Sequence, residues 1–334
     1  MEQTITKGLS TNLATILWVS SIRLLNVLIW PLILSPDQLS LQTRKSGDSS
    51  DLSTHGFAYD QSGNLAVKGS KKFVIDGWQV SAMTDLSGNI EQTFDYSTSG
   101  SITQKKDSSG NPLCSMQYDS EERLVGVNGI SFTYDFSGRL VKAKREDGST
   151  TFYPSNSFEI DISPEGFKSY SSYLVCHGRR AVLFTLLPDT PEETTSINYF
   201  HCDHLGSTIA VSDVDGRITT TYEYDVFGNV TCQGVDSSRY KYSGKEMFSG
   251  LYYFGARFFD PEVGAMRCYL MRKATDIGTQ IGRFVSLDNY PIHLEKIHRP
   301  SILNQYSFSC NDPINFIDLN GNEGTDWFAL FWHL

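Results

Sequence analysis

Apolar and polar positions alternate with a period of two through most of the chain. In Thr219-Thr220-Thr221-Tyr222-Glu223-Tyr224 the two tyrosines share one face of an extended segment, and Thr221 and Glu223 share the other. A recurring turn bounds such stretches. Phe57-Ala58-Tyr59-Asp60-Gln61-Ser62-Gly63-Asn64-Leu65 reads aromatic, Asp, two free positions, Gly, polar, apolar, and the pattern returns at Tyr134-Asp135 and Tyr224-Asp225. Tyr118-Asp119 begins a degenerate copy with Glu122 in the glycine position, and bare Asp-x-x-Gly recurs at Asp85, Asp107, Asp203 and Asp213. The aspartate accepts backbone N–H groups ahead of it and closes the turn, and the glycine supplies a positive φ. Each unit is therefore a strand–turn–strand element too small to bury its own apolar face. Copies must stack, which predicts a β-solenoid or wound sheet.

The N-terminal region breaks this pattern. Residues 13–34 are 22 positions interrupted by one charge, Arg23. That is long enough for a membrane span or a signal segment, although no small-x-small cleavage site comes after it. Arg23 costs roughly 2.5–3.5 kcal/mol on insertion, and Pro31 would kink the last turn. A buried or amphipathic helix, or a segment foreign to the domain behind it, fits equally well. Ser, Asp and Gln without periodicity make the residues after it a linker.

Composition sharpens the class. With 17 Tyr and 20 Phe among 334 residues, and 27 Gly against 11 Pro, the chain leans towards β structure. Charged residues are 20% and apolar ones 40%, which excludes wholesale disorder. Lys and Arg number 28 against 38 Asp and Glu, a net charge of −10, which argues against a non-specific nucleic-acid binder. The six cysteines never form C-x-x-C, so they specify neither a zinc ribbon nor a disulfide framework and read mostly as small buried hydrophobes.

One region carries a more specific signal. Tyr199-Phe200-His201-Cys202-Asp203-His204-Leu205-Gly206-Ser207-Thr208 precedes Tyr242-Ser243-Gly244-Lys245-Glu246, Gly255-Ala256-Arg257-Phe258-Phe259-Asp260-Pro261, Gly282-Arg283-Phe284 and Asn311-Asp312-Pro313. This succession resembles the RHS/YD-repeat family and, from Asp203 to Gly321, its RHS-repeat-associated core. The resemblance implies an all-β fold of YD hairpins wound into a spiral sheet or shell; the length of the repeat region makes it an incomplete one, and the apolar segment adds an N-terminal helix before it. In bacterial toxins of this kind the shell encloses an effector freed by self-cleavage at the end of the core; in animal teneurins a related shell belongs to an adhesion receptor. The expected organisation is an apolar segment at 1–36, a linker at 37–54, degenerate repeats at 55–200, the core at 201–322 and a tail at 323–334.

The resemblance also implies site residues. Arg257, Asp288 and Asp318 match the family's self-cleavage positions, with the scissile bond after Asn322. Paired carboxylates can share a proton, one activating water and the other protonating the leaving group, while an arginine holds one ionised. The pattern departs in three ways: an 18-residue insertion at 265–282, Leu319 and Asn322 in place of Pro and Leu, and Asn289 after Asp288. The insertion places Arg257 and Asp288 31 residues apart and raises the question whether they still meet.

Other chemistry finds less support. Strand alternation sends His201 and Cys202 to opposite faces, which disfavours a metal site. Ser243-Gly244-Lys245-Glu246 lacks the glycines and the trailing Ser/Thr of a phosphate loop. The expected function is thus a structural scaffold or shell fragment, without an attached effector because few residues lie beyond Gly321. A cell-surface adhesion module is the alternative, and a single self-cleavage in cis the third reading and the one enzymatic activity entertained. No cofactor and no metal are expected. Expected partners are a further YD-repeat chain, an effector or a cell-surface ligand, with no nucleic acid and with a membrane engaged through residues 13–34. The expected location is secreted or at the cell surface.

Overall fold

The computed structural model describes residues 3–7, 39–45, 52–60, 62–188, 194–261, 282–288, 304–322 and 324–326. The apolar segment 13–34, expected as a helix, lies outside these residues, as do positions 265–281 of the insertion. Among the described residues the regular structure is strand, with 3-10 turns at Tyr242–Gly244 and Ser309–Asn311. No helix among them is long and apolar enough to cross a membrane.

Twenty strands, from Gln3–Lys7 to Val230–Gly234, form one antiparallel sheet in which each strand pairs with its sequence neighbours. Among the described residues the sheet is not closed. The predicted turns build it. At the first, the Asp60 carboxylate accepts the amides of Ser62 at 2.9 Å and Asn64 at 2.8 Å. The Gly63 amide returns to the Asp60 carbonyl at 3.0 Å, and Tyr59 pairs with Leu65 across the turn. Asp119, Asp135, Asp213 and Asp225 repeat this arrangement. In the degenerate copy Glu122 adopts φ of 60°, the left-handed conformation that glycine takes elsewhere. The structure also contains copies that the aspartate pattern does not show. Ser97 and Ser163 close the turns before Gly100 and Gly166 with their hydroxyls.

The tyrosines of the repeat do more than pack. Tyr96, Tyr118, Tyr224 and Tyr242 donate their hydroxyls to the carbonyls of Val80, Ile102, Thr208 and Val226, each 16 residues earlier. A tyrosine can bury its ring only if its hydroxyl finds an acceptor, and here the acceptor lies in the preceding hairpin. Each such bond contributes about 0.5–1.5 kcal/mol net and fixes the stacking of one repeat on the last.

A four-stranded sheet (Glu246–Phe248, Leu251–Tyr253, Phe258–Asp260, Arg283–Phe284) packs against the large one. Its centre is a nest of rings, Phe254, Phe259, Phe284 and Phe308, each at most 1% exposed. Polar contacts fasten the core to the repeats. Lys105 pairs with Asp260, Arg283 Nη1 donates to the Trp78 carbonyl at 2.8 Å, and Asn304 Nδ2 donates to Asn64 Oδ1 at 2.6 Å. Asp260 and Arg283 pair directly in the sheet, so the strands that flank the insertion are neighbours in one ladder.

Candidate functional site

Beyond Tyr253 the chain makes a tight loop, with the Phe254 amide donating to the Arg257 carbonyl at 2.9 Å. This turns the Arg257 side chain into the core. It is 6% exposed, and its guanidinium lies 3.7 Å from the centroid of the Phe284 ring. Asp288 comes after the strand Arg283–Phe284 and forms an ion pair with Arg257 Nη2 at 2.8 Å. Asp318 ends the strand Phe316–Asp318 at 1% exposure and accepts the amides of Gly321 at 2.7 Å and Asn320 at 3.2 Å. The three residues expected from the sequence therefore assemble despite the insertion.

They assemble around one piece of backbone. The Leu319 carbonyl accepts from Lys245 Nζ at 2.6 Å and the Asn320 carbonyl from the Ala256 amide at 2.9 Å. The Gly321 carbonyl accepts from Arg257 Nε, and the Asn322 carbonyl lies 3.5 Å from Arg257 Nη2. Arg257 Nη1 also donates to the Gln305 carbonyl at 2.8 Å. Four successive carbonyls, 319 to 322, thus face donors. Gly321 has φ of +83°, and a Cβ there would sit 3.1 Å from both the Arg257 nitrogen and Phe254 Cβ, so the close approach needs glycine. Leu319 engages through its carbonyl while its side chain is 53% exposed, so replacing proline there leaves the contact intact.

Burial pushes the Arg257 guanidinium down to about 10, with Asp288 and Asp318 pulling it back. Burial likewise brings the Lys245 ammonium down to about 8; Asp318 opposes this and Arg180 adds to it. Lys245 is the residue the sequence did not single out for this site. Its motif was read as part of the family resemblance and weighed as a phosphate loop, but given no role in the site, and its partner lies 74 positions away. The candidate metal residues do not converge. His201 Nε2 pairs with Ser212 Oγ at 2.9 Å, and among the described residues no group of three or more His, Cys, Asp or Glu is placed to hold a metal ion.

No protein-family profile matches the chain. Among curated proteins it is 24% identical over 306 residues to the tRNA nuclease WapA of Bacillus subtilis strain 168, covering 86% of this chain and 11% of that protein. It is 27% identical over 224 residues to double-stranded DNA deaminase toxin A of Burkholderia cenocepacia, covering 62% of this chain and 14% of that one. The chain thus spans between a tenth and a seventh of these relatives. Among solved structures, TcdB2-TccC3-TEV superposes with a TM-score of 0.55 at 17% identity, over 85% of this chain and 15% of that one. TcdB2-TccC3 without its hypervariable C-terminal region gives 0.52 at 17% identity, with the same coverage. These likenesses show the fold.

Two expectations are corrected by these relatives. A scaffold without an effector was read from where the chain stops, yet the relatives are named as nucleases and a deaminase toxin, and the match is a small part of each. Nucleic acid was excluded as a partner on net charge, yet the same names specify tRNA and double-stranded DNA. The charge of a matched stretch bears on that stretch's own surface and not on activity carried elsewhere in a longer protein. The repeated Asp turns, the stacked tyrosines, the core and the relatives together bear out the resemblance of this chain to RHS/YD-repeat toxins.

Proposed function

We propose that this chain is the sheet-and-core portion of a secreted polymorphic toxin directed at nucleic acid, and that its core cuts its own backbone after Asn322 to free the segment beyond that bond. The nuclease and deaminase relatives support the first part. One observation carries the second: Arg257, Asp288 and Asp318 gather on the backbone that ends in the Asn322 carbonyl.

The chemistry needs water as the only co-reactant. One carboxylate takes a proton from water, whose oxygen attacks the Asn322 carbonyl carbon. Arg257 Nη2 donates to the carbonyl oxygen as negative charge builds there, and a donor aimed at a developing oxyanion typically contributes about 3–4 kcal/mol. The C–N bond to Glu323 then breaks as the second carboxyl protonates the departing nitrogen. The contact of 3.5 Å from Arg257 to the Asn322 oxygen is that of a resting site, which tightens in the transition state.

The test is the intact mass of the full chain beside its Asp288→Asn and Asp318→Asn variants. A shortened species in the unaltered chain alone supports the reading. A single full-length mass in all three overturns self-cleavage.

A further inference from the structure

We propose that Lys245 is a positioning residue for the cut after Asn322, fixing the Leu319 carbonyl and through it the register of the backbone that Arg257 grips. This rests on the self-cleavage reading. The donors to this backbone reach it from two elements. Those to Asn320, Gly321 and Asn322 all belong to one loop, the Ala256 amide and the Arg257 side chain. Lys245 approaches from a different element, between the 3-10 turn Tyr242–Gly244 and the strand Glu246–Phe248. Its ammonium donates to the Leu319 carbonyl at 2.6 Å. Without it the carbonyls of this segment are gripped by that loop alone, while Asp318 holds the amides of Asn320 and Gly321.

The surroundings suit a positioning cation. The ammonium lies 5.0 Å from the centroid of the Phe254 ring, in the same loop that carries Arg257. Two charged groups act on it. Asp318 favours its charge, and Arg180, which donates to the neighbouring Gly244 carbonyl at 3.2 Å, disfavours it. With burial as the dominant influence the ammonium is brought down to about 8. An ammonium donates more strongly than an amine, so the grip on Leu319 weakens above about pH 8. Misplacement of a reacting bond by an ångström can cost about 100-fold in rate.

The experiment tracks appearance of the shortened species after cell-free synthesis of the full chain, as the unaltered protein, Lys245→Met and Lys245→Arg, from pH 6 to 10. Thermal midpoints and hydrogen exchange at Asn320, Gly321 and Asn322 are measured alongside. We expect Lys245→Met to cut about 10- to 100-fold more slowly and to exchange faster at those amides. Lys245→Arg should restore most of the rate and remove the alkaline fall near pH 8, because a guanidinium keeps its charge there. Cutting by Lys245→Met at the unaltered rate overturns the inference and leaves self-cleavage standing, as does an arginine variant whose rate and pH profile match the methionine one. If the unaltered chain never cuts, self-cleavage falls. Hydrogen exchange then decides Lys245 alone, and unchanged protection in Lys245→Met refutes its hold on the segment.

Discussion

Replacing Lys105 with methionine separates the core from the repeats at a single buried point. Lys105 belongs to the strand Ile102–Asp107 and Asp260 to the core strand Phe258–Asp260, and their side chains are 1% and 0% exposed. Methionine keeps the length and removes the charge, so the Asp260 carboxylate stays in the core and loses its contact with Lys105. Lys68 also acts on Asp260 and pairs with Asp225 at 3.2 Å. Breaking one side of a buried pair costs about 3–5 kcal/mol, against a total of roughly 5–15 kcal/mol for a typical domain. Guanidinium unfolding monitored by tryptophan fluorescence reads the loss as a lower midpoint. The double variant Lys105→Met/Asp260→Leu removes both charges and should recover at least half of it, a coupling of about 2 kcal/mol. A single variant costing under about 1 kcal/mol, or two losses that simply add, would refute the claim that this pair ties core to sheet.

Two further predictions concern other buried positions. Burial pushes the Glu246 carboxyl up to about 8 from its ordinary 4.5, with Glu159 adding to the effect and Arg239 opposing it. The folded chain then holds a proton that the unfolded chain has lost between those pH values, so stability falls as pH rises through that window. Glu246→Gln should flatten the fall in urea midpoints measured from pH 5 to 8, and an unchanged slope would contradict the assignment. Gly228 has φ of +87°, and a Cβ there would lie 2.5 Å from the Tyr242 ring, so Gly228→Ala should cost about 2 kcal/mol or more and lower the thermal midpoint. An unaltered midpoint would mean that Tyr242 gives way.

How much of the fold and site could be read in the sequence depends on the range over which the chemistry acts. An Asp-closed turn is local, so Asp60, Asp135 and Asp225 could be read directly, and the shared buried face of Tyr222 and Tyr224 came from alternation. The Ser97 and Ser163 turns stayed hidden because a hydroxyl does the work of a carboxylate. Arg257, Asp288 and Asp318 came from resemblance, and nothing in the sequence told whether the insertion parts them. Pairing of Asp260 with Arg283 decides that, and it is a long-range ladder contact. Lys245 escaped because its role depends on a carbonyl 74 residues away. The functional expectations that failed had leaned on the chain's end and its net charge, and neither is a property of a site.

On the proposed reading, the carbonyls of 319 to 322 are held for a cut at one bond. The most direct measurement is the N-terminal sequence of any fragment the full chain releases, compared with the Arg257→Lys variant. The expected product begins at Glu323 and is lost or greatly slowed in the variant. A fragment beginning elsewhere, or one released equally well by Arg257→Lys, would contradict that reading.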